Sequence, residues 1–185
     1  SKMEERIVIA GFGGQGIMAI GQLLTFSGMI EDKNVSWLPS YGPEMRGGTA
    51  NCNVIISTEA VGSPVVTEST SVIVMNRPSL DKFENTIVPG GKLFINSSLI
   101  DRKATRDDIE VYYIPANEIA NELGNSRVAN MVMLGAFLEV TNVVEKSTIL
   151  DKAFIEVFGE NRAHLIPINK EAMERGAEIV RSQRK

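Results

Sequence analysis

The residues best placed to do chemistry lie in two glycine-rich loops. The first is Gly11-Phe12-Gly13-Gly14-Gln15-Gly16. It follows an apolar run, Arg6-Ile7-Val8-Ile9-Ala10, and precedes a helical pattern beginning at Ile17. Gly11, Gly13 and Gly16 fit G-x-G-x-x-G in the strand-to-helix setting that gives this pattern meaning. Glycines let a ligand approach the backbone closely, and the helix start offers unpaired N–H groups and a positive dipole end. A phosphate or pyrophosphate suits such a place. The second loop is Pro39-Ser40-Tyr41-Gly42-Pro43-Glu44-Met45-Arg46-Gly47-Gly48. Arg46, beside two glycines, can clamp a phosphate or carboxylate with two parallel hydrogen bonds.

Each loop has competing readings. The glycines of the first can bind phosphate, can simply let a helix pack on a sheet, or can belong to a nicotinamide site. A nicotinamide site expects a carboxylate at the end of the second strand. That strand ends Ser36-Trp37-Leu38-Pro39, and Glu31 and Asp32 precede it. No Gly-Lys-Ser/Thr follows, so this is not a nucleoside-triphosphatase loop. In the second loop, Glu44 can pair with Arg46 within a rigid, solvated turn. Trp37, Tyr41 and Met45 close together point instead to a contact surface.

The positioning elements alternate. Ile17, Ile20, Leu23, Leu24 and Ser27 share a helical face, with Gly28 expected at the helix end. Asn34–Leu38 reads as a strand stopped by Pro39. In the segment 49–56, Ala50, Cys52, Val54 and Ile56 point one way and Thr49, Asn51, Asn53 and Ile55 the other. Ser71–Met75 is a buried strand, Pro78 opens a helix, and Gly90-Gly91 turns the chain into the strand Lys92–Asn96. Val111–Ile114 is the last strand. Helical patterns follow around Ile119–Leu123, Val128–Val140, Ile149–Val157 and Asn169–Arg181, with Ala172, Gly176 and Ile179 inward. The alternation predicts an α/β fold, a three-layer α/β/α sandwich around a mixed, mostly parallel sheet. One domain, 3–185, is expected, with Met3 read as the initiator.

Composition narrows the function. The chain has 185 residues, 43% of them hydrophobic, and a net charge of −4. That balance gives no electrostatic case for nucleic acid or an anionic membrane surface. The longest apolar run, Met131–Leu138, is too short to span a bilayer, and Met3-Glu4-Glu5-Arg6 shows no secretory pattern. A cytoplasmic location is expected. One cysteine, Cys52, cannot form an internal disulfide or hold an iron–sulfur cluster. Its place on the apolar strand face predicts a buried side chain rather than a nucleophile. The one histidine, His164, reads as a surface or helix-end residue. Asp81, Glu84, Asp107 and Asp108 read as solvated. No catalytic base, metal site or covalent nucleophile is assembled, which suits one part of a larger machine.

The two loops, together with Asn130-Met131-Val132-Met133-Leu134-Gly135, resemble one family, the gamma subunit or domain of 2-oxoacid:ferredoxin oxidoreductases. The resemblance runs from residue 6 to about 180. It implies an oxidoreductase subunit inactive by itself. The whole enzyme would oxidatively decarboxylate a 2-oxoacid, pass electrons to ferredoxin and transfer the acyl group to coenzyme A. Thiamine diphosphate would sit on alpha/beta partner subunits and iron–sulfur clusters on a ferredoxin-like delta subunit. Gly11, Gly13, Gly14, Gln15, Gly16 and Arg46 are then the candidate contacts to coenzyme A phosphates, Arg46 alternatively clamping a partner. The second loop resembles the 2-oxoisovalerate and 2-oxoglutarate types more than the pyruvate type. An indolepyruvate- or pyruvate-type subunit, a stand-alone dinucleotide-binding protein and a purely structural module remain the alternatives.

Overall fold

A computed structural model describes residues 2–41 and 49–184. The first apolar run forms β1 (Glu4–Phe12) and leads through a 3-10 turn, Gly13–Gln15, into α1 (Ile17–Ile30). The strands β2 (Asn34–Tyr41), β3 (Thr49–Ser57) and β4 (Ser69–Val74) follow, then α2 (Arg77–Phe83), β5 (Ile87–Asn96) and β6 (Glu110–Ile114). The remaining helices are α3 (Ala116–Glu122), α4 (Ala129–Thr141), α5 (Lys146–Thr148), α6 (Phe154–Phe158) and α7 (Ile166–Gln183), with a π turn, Ile149–Ala153, between α5 and α6.

The strands form one six-stranded sheet in the order β2-β3-β1-β4-β5-β6. β1, β4, β5 and β6 are parallel neighbours, while β3 runs against β1 and β2 against β3. The sheet is therefore mixed and mostly parallel, as the alternation predicts. Period-two alternation sends side chains into two separate cores. Ile7, Ile9, Cys52, Val54, Ile73 and Phe94 enter the larger one, beneath α1, α4 and α7. Val8, Ala10, Val72, Val74, Leu93 and Ile95 enter the smaller one with Leu80 of α2 and Ile100. The second layer is thin, built from α2 and the irregular segment 97–109.

Glu84 holds that segment in place. The residue is 4% exposed. It accepts hydrogen bonds from Arg102 Nη2 at 3.0 Å, Thr105 N–H at 2.6 Å and Thr105 Oγ1 at 3.1 Å. The expectation that Glu84 is solvated was wrong: α2 presents it to the segment that covers the sheet. Asp81 and Asp108 do lie at the surface, paired with Arg102 and Arg106.

Three glycine and proline signals were misread for related reasons. Gly28 does not end α1; it lies inside the helix, where a Cβ would come within 2.6 Å of Val35 Cγ1 on β2. Pro39 does not stop β2, because β2 is an edge strand and proline is tolerated there. Gly90-Gly91 is not a turn before β5 but a shift of register within it, with Gly90 at φ +83°.

The large core also fixes Cys52. Its side chain is fully buried, and burial pushes the thiol up to about 12, the Trp37 side chain pulling the other way. Thiolate is thus negligible at neutral pH. A disulfide reagent at pH 8 is expected to leave Cys52 unlabelled in the native protein and to label it fully in denaturant. Rapid native labelling, read by thiol absorbance, would contradict this packing.

Candidate functional site

Parallel strands point their carboxyl ends to one edge of the sheet, and a crevice opens where the chain departs in opposite directions from neighbouring strands. Here α1 carries the chain from β1 toward β2, while β4, β5 and β6 build outward on the other side of β1. The switch point lies between β1 and β4. A cavity of about 330 Å³ occurs there, lined by Gly14, Gln15, Gly16, Met75, Asn117, Ser126, Arg127, Ala129 and Asn130. The glycine loop follows β1, Met75 follows β4, and Asn117 sits in the first turn of α3. Ser126–Val128 forms a 3-10 turn leading into α4.

The glycines divide into two kinds. At Gly11 a Cβ would come within 3.0 Å of Gln15 Oε1, Met75 Cβ and Ile17 Cδ1. Gly16 takes φ +74°, and its Cβ would strike the Asn130 side chain. Both are required by packing or backbone conformation. Gly13 and Gly14 are exposed, and a Cβ on either would meet nothing within 4 Å. Nothing within the described residues calls for glycine at those two positions.

Gln15 tightens the loop. Its Oε1 accepts from Phe12 N–H at 2.6 Å, and its Nε2 donates to Met75 O at 3.2 Å, joining the loop after β1 to the end of β4. Asn130 Nδ2 donates to Gly16 O at 3.3 Å and ties the same loop to the first turn of α4. The loop is thus held from both sides. α1 begins directly after the left-handed Gly16, and the N–H groups of its first residues lack intrahelical acceptors.

Of the six predicted site residues, Gly14, Gln15 and Gly16 line this cavity. Gly11 is buried beneath it, and Gly13 is exposed beside it. Arg46 falls in 42–48, outside the described residues. Sequence reading missed Arg127, Asn117 and Ser126. The only signal for Ser126 and Arg127 was a polar Asn125-Ser126-Arg127 stretch ahead of an apolar helix, which reads equally well as an ordinary helix start, and Asn117 in α3 gave none. Asn130 had been noticed only as part of a resembling motif. His164 is exposed, and Cys52 is buried. Among the described residues no group of three or more His, Cys, Asp or Glu is arranged to hold a metal ion. A larger groove of about 640 Å³ lies at the far end of α1, beside Phe26, Met29, Ile30 and residues 151–156. It is away from the carboxyl ends of the strands, so the crevice remains the candidate site.

The fold and crevice define a mixed α/β domain with a glycine loop at its topological switch point. The chain belongs to the pyruvate ferredoxin/flavodoxin oxidoreductase family, whose model matches residues 6–179. It is 38% identical over 180 residues to the ketoisovalerate oxidoreductase subunit VorA of Methanothermobacter marburgensis, covering 96% of this chain and 37% of that protein. The chain thus spans little more than a third of that relative's length. It is 35% identical over 158 residues to the 2-oxoglutarate synthase subunit KorC of Methanocaldococcus jannaschii, covering 84% of each. Among solved structures, the gamma subunit of a keto/oxoacid ferredoxin oxidoreductase from Geobacter sulfurreducens matches with a TM-score of 0.79. The identity is 29%, and 96% of this chain and 99% of that one are covered.

Proposed function

We propose that this chain is the gamma-type component of a multisubunit 2-oxoacid:ferredoxin oxidoreductase. The observation that carries this reading is the likeness to KorC along most of both chains. Names among the relatives favour a 2-oxoisovalerate or 2-oxoglutarate substrate. The component would form one domain over 3–185 and work in the cytoplasm. No described helix is long and apolar enough to cross a membrane. Thiamine diphosphate would be carried by alpha/beta partners. Iron–sulfur clusters would be carried by a ferredoxin-like delta partner that passes electrons to ferredoxin. The donor set of this chain agrees with that division, since its one cysteine is buried and cannot build a cluster.

This chain's own part would be to hold coenzyme A phosphates in the crevice and to assist assembly. Gly11 and Gly16 shape the loop, Gln15 braces it, and Gly13 and Gly14 leave the backbone open to a bulky anion. Arg46 would add a second phosphate contact or clamp a partner. The first experiment is anaerobic affinity purification from the native host, with mass spectrometry and iron and thiamine assays. Co-purification with thiamine diphosphate and iron–sulfur subunits is expected. Recovery alone, free of iron and thiamine, would sink the subunit reading.

The ligand role has its own test. A Cβ on Gly14 would meet nothing within 4 Å among the described residues, so Gly14→Val should fold normally and obstruct only the ligand. Coenzyme A affinity is expected to fall about tenfold or more, because a blocked backbone cradle loses charge-assisted hydrogen bonds. An unchanged dissociation constant by calorimetry would remove coenzyme A from the loop.

A further inference from the structure

A second cavity, about 430 Å³, adjoins the crevice, and Arg127 and Asn130 line both. It lies between the turn that opens α4 and the 3-10 segment Glu160–Leu165 that opens α7. Asn130 in the first turn of α4 and Asn169 in the first turn of α7 both line it. Arg162 and the only histidine, His164, complete its polar wall, and among the described residues no carboxylate lines it. Its floor is apolar, with Met131 and Phe158.

The state of the arginines is informative. Arg6, Arg77, Arg102, Arg106, Arg175 and Arg181 all pair with carboxylates. Arg127 and Arg162 have no carboxylate partner among the described residues, although the chain carries a net charge of −4. Apart from Arg184, just after α7, they are alone in this among the described arginines, and both line the same cavity. Two guanidiniums without carboxylate partners, and no carboxylate among the lining residues, make a positive recess, where an anion gains charge-assisted hydrogen bonds.

We propose that this cavity is a second anion subsite that receives a phosphate monoester, through Arg127 and Arg162, from the same ligand whose pyrophosphate lies on the glycine loop. The base beside that phosphate rests on the partly exposed Phe158, since an aromatic face accepts any base by stacking. Arg127 stands on the wall common to both cavities and reaches either charge. The inference rests on the coenzyme A reading above and adds to it the part of the chain that recognises the 3′-phosphate.

The test is calorimetric titration of the full chain with coenzyme A and with dephospho-coenzyme A, which lacks that phosphate. Wild type is expected to bind coenzyme A about tenfold more tightly than the dephospho form, the scale of one charge-assisted contact. In Arg162→Gln and Arg127→Gln the ratio should shrink to about twofold or less, with Arg162→Gln leaving dephospho-coenzyme A unaffected. Both arginines are exposed, and unchanged melting curves would show that the variants fold. A wild-type ratio near one overturns the subsite, as does a ratio that survives in both variants. If inorganic phosphate binds in an Arg162-dependent way while the two coenzymes bind equally, the recess takes a free anion and the proposed link to the loop ligand is wrong. Gly14→Val separates the two readings. It should weaken both coenzymes equally, and if it weakens neither while the ratio still follows Arg162, the loop assignment fails and the subsite stands. Failure of wild type to bind either coenzyme overturns both.

Discussion

Gly176→Ala is expected to be among the most destabilising single-methyl changes in this protein. Gly135 on α4 and Gly176 on α7 lie where the two helices touch backbone to backbone. A Cβ on Gly176 would sit within bonding-scale distance of the Val132 carbonyl oxygen, and one on Gly135 would do the same at Met173. Ala136, Ala172 and Ala177 are fully buried at the same contact. Backbone atoms cannot swing aside as a side chain can, so the helices would have to separate and open the large core along their length. Overpacking a tight core costs about 1–3 kcal/mol and occasionally more. With backbone as the obstacle, the upper end, about 3 kcal/mol, is expected. That corresponds to a fall in melting temperature of about 6–12 °C for a domain of this size. Gly62→Ala is the control, since a Cβ there meets nothing within 4 Å and the change should stay within about 0.5 kcal/mol. Superimposable melts for Gly176→Ala and wild type would refute the close crossing. Because α4 also delivers Ala129 and Asn130 to the crevice, weaker coenzyme A binding should accompany the loss of stability.

The second large effect belongs to Glu84. Removing its carboxylate in Glu84→Ala takes the acceptor from the Thr105 N–H and deprives Arg102 of one of its two carboxylate partners. Breaking a buried ion pair from one side costs about 3–5 kcal/mol. Arg102 keeps Asp81, so the lower end of that range is expected. The loss should appear first in the segment 97–109, as faster amide exchange there than in the α4–α7 pair. Uniform exchange throughout would show that Glu84 does not act as a local anchor.

The same residue predicts a pH dependence. Burial raises the Glu84 carboxyl, but the Thr105 N–H, the Arg102 guanidinium and the Thr105 hydroxyl together outweigh it, holding the group below its ordinary value of 4.5. A folded-state value lower than the unfolded one adds stability above about pH 4.5, and that stability disappears as pH falls through the folded value. Denaturant midpoints taken downward from pH 6 should therefore fall more steeply in wild type than in Glu84→Gln, which cannot titrate. Parallel curves would mean that Glu84 titrates alike in both states. Glu31, where burial is outweighed by the Glu145 N–H and Lys33, Glu139, where it is outweighed by Lys146 and Arg181, and Asp108, beside Arg106, are also held low and contribute the background slope common to both proteins.

Local pattern carried a large share of the fold. Period-two alternation in 49–56 placed Cys52, Val54 and Ile56 on one face, because the pleat of a strand leaves its side chains no other choice. Helical spacing located α1 and α4, and the strand–glycine–helix order placed the first loop at the carboxyl end of β1. Those properties depend on a residue and its near neighbours. What a strand or helix meets across space does not. Gly28, Pro39 and Gly90-Gly91 carry the same local signal whether they end an element or lie within one. The answer came from Val35 opposite α1, from the edge position of β2 and from the register of β5 against β4. Glu84 reads as solvated until the segment 97–109 folds over it. Gly135 and Gly176, far apart in the chain, become a single contact only when α4 and α7 cross. The site divides in the same way. Sequence alone determined that an open glycine loop would stand at the end of β1 and that no cluster of cysteines could accompany it. Only the tertiary structure decided which glycines serve packing and which leave space, and only it brought Arg127 and Arg162 to one recess, because contacts between distant segments are set by the closure of the core and not by the order of the residues.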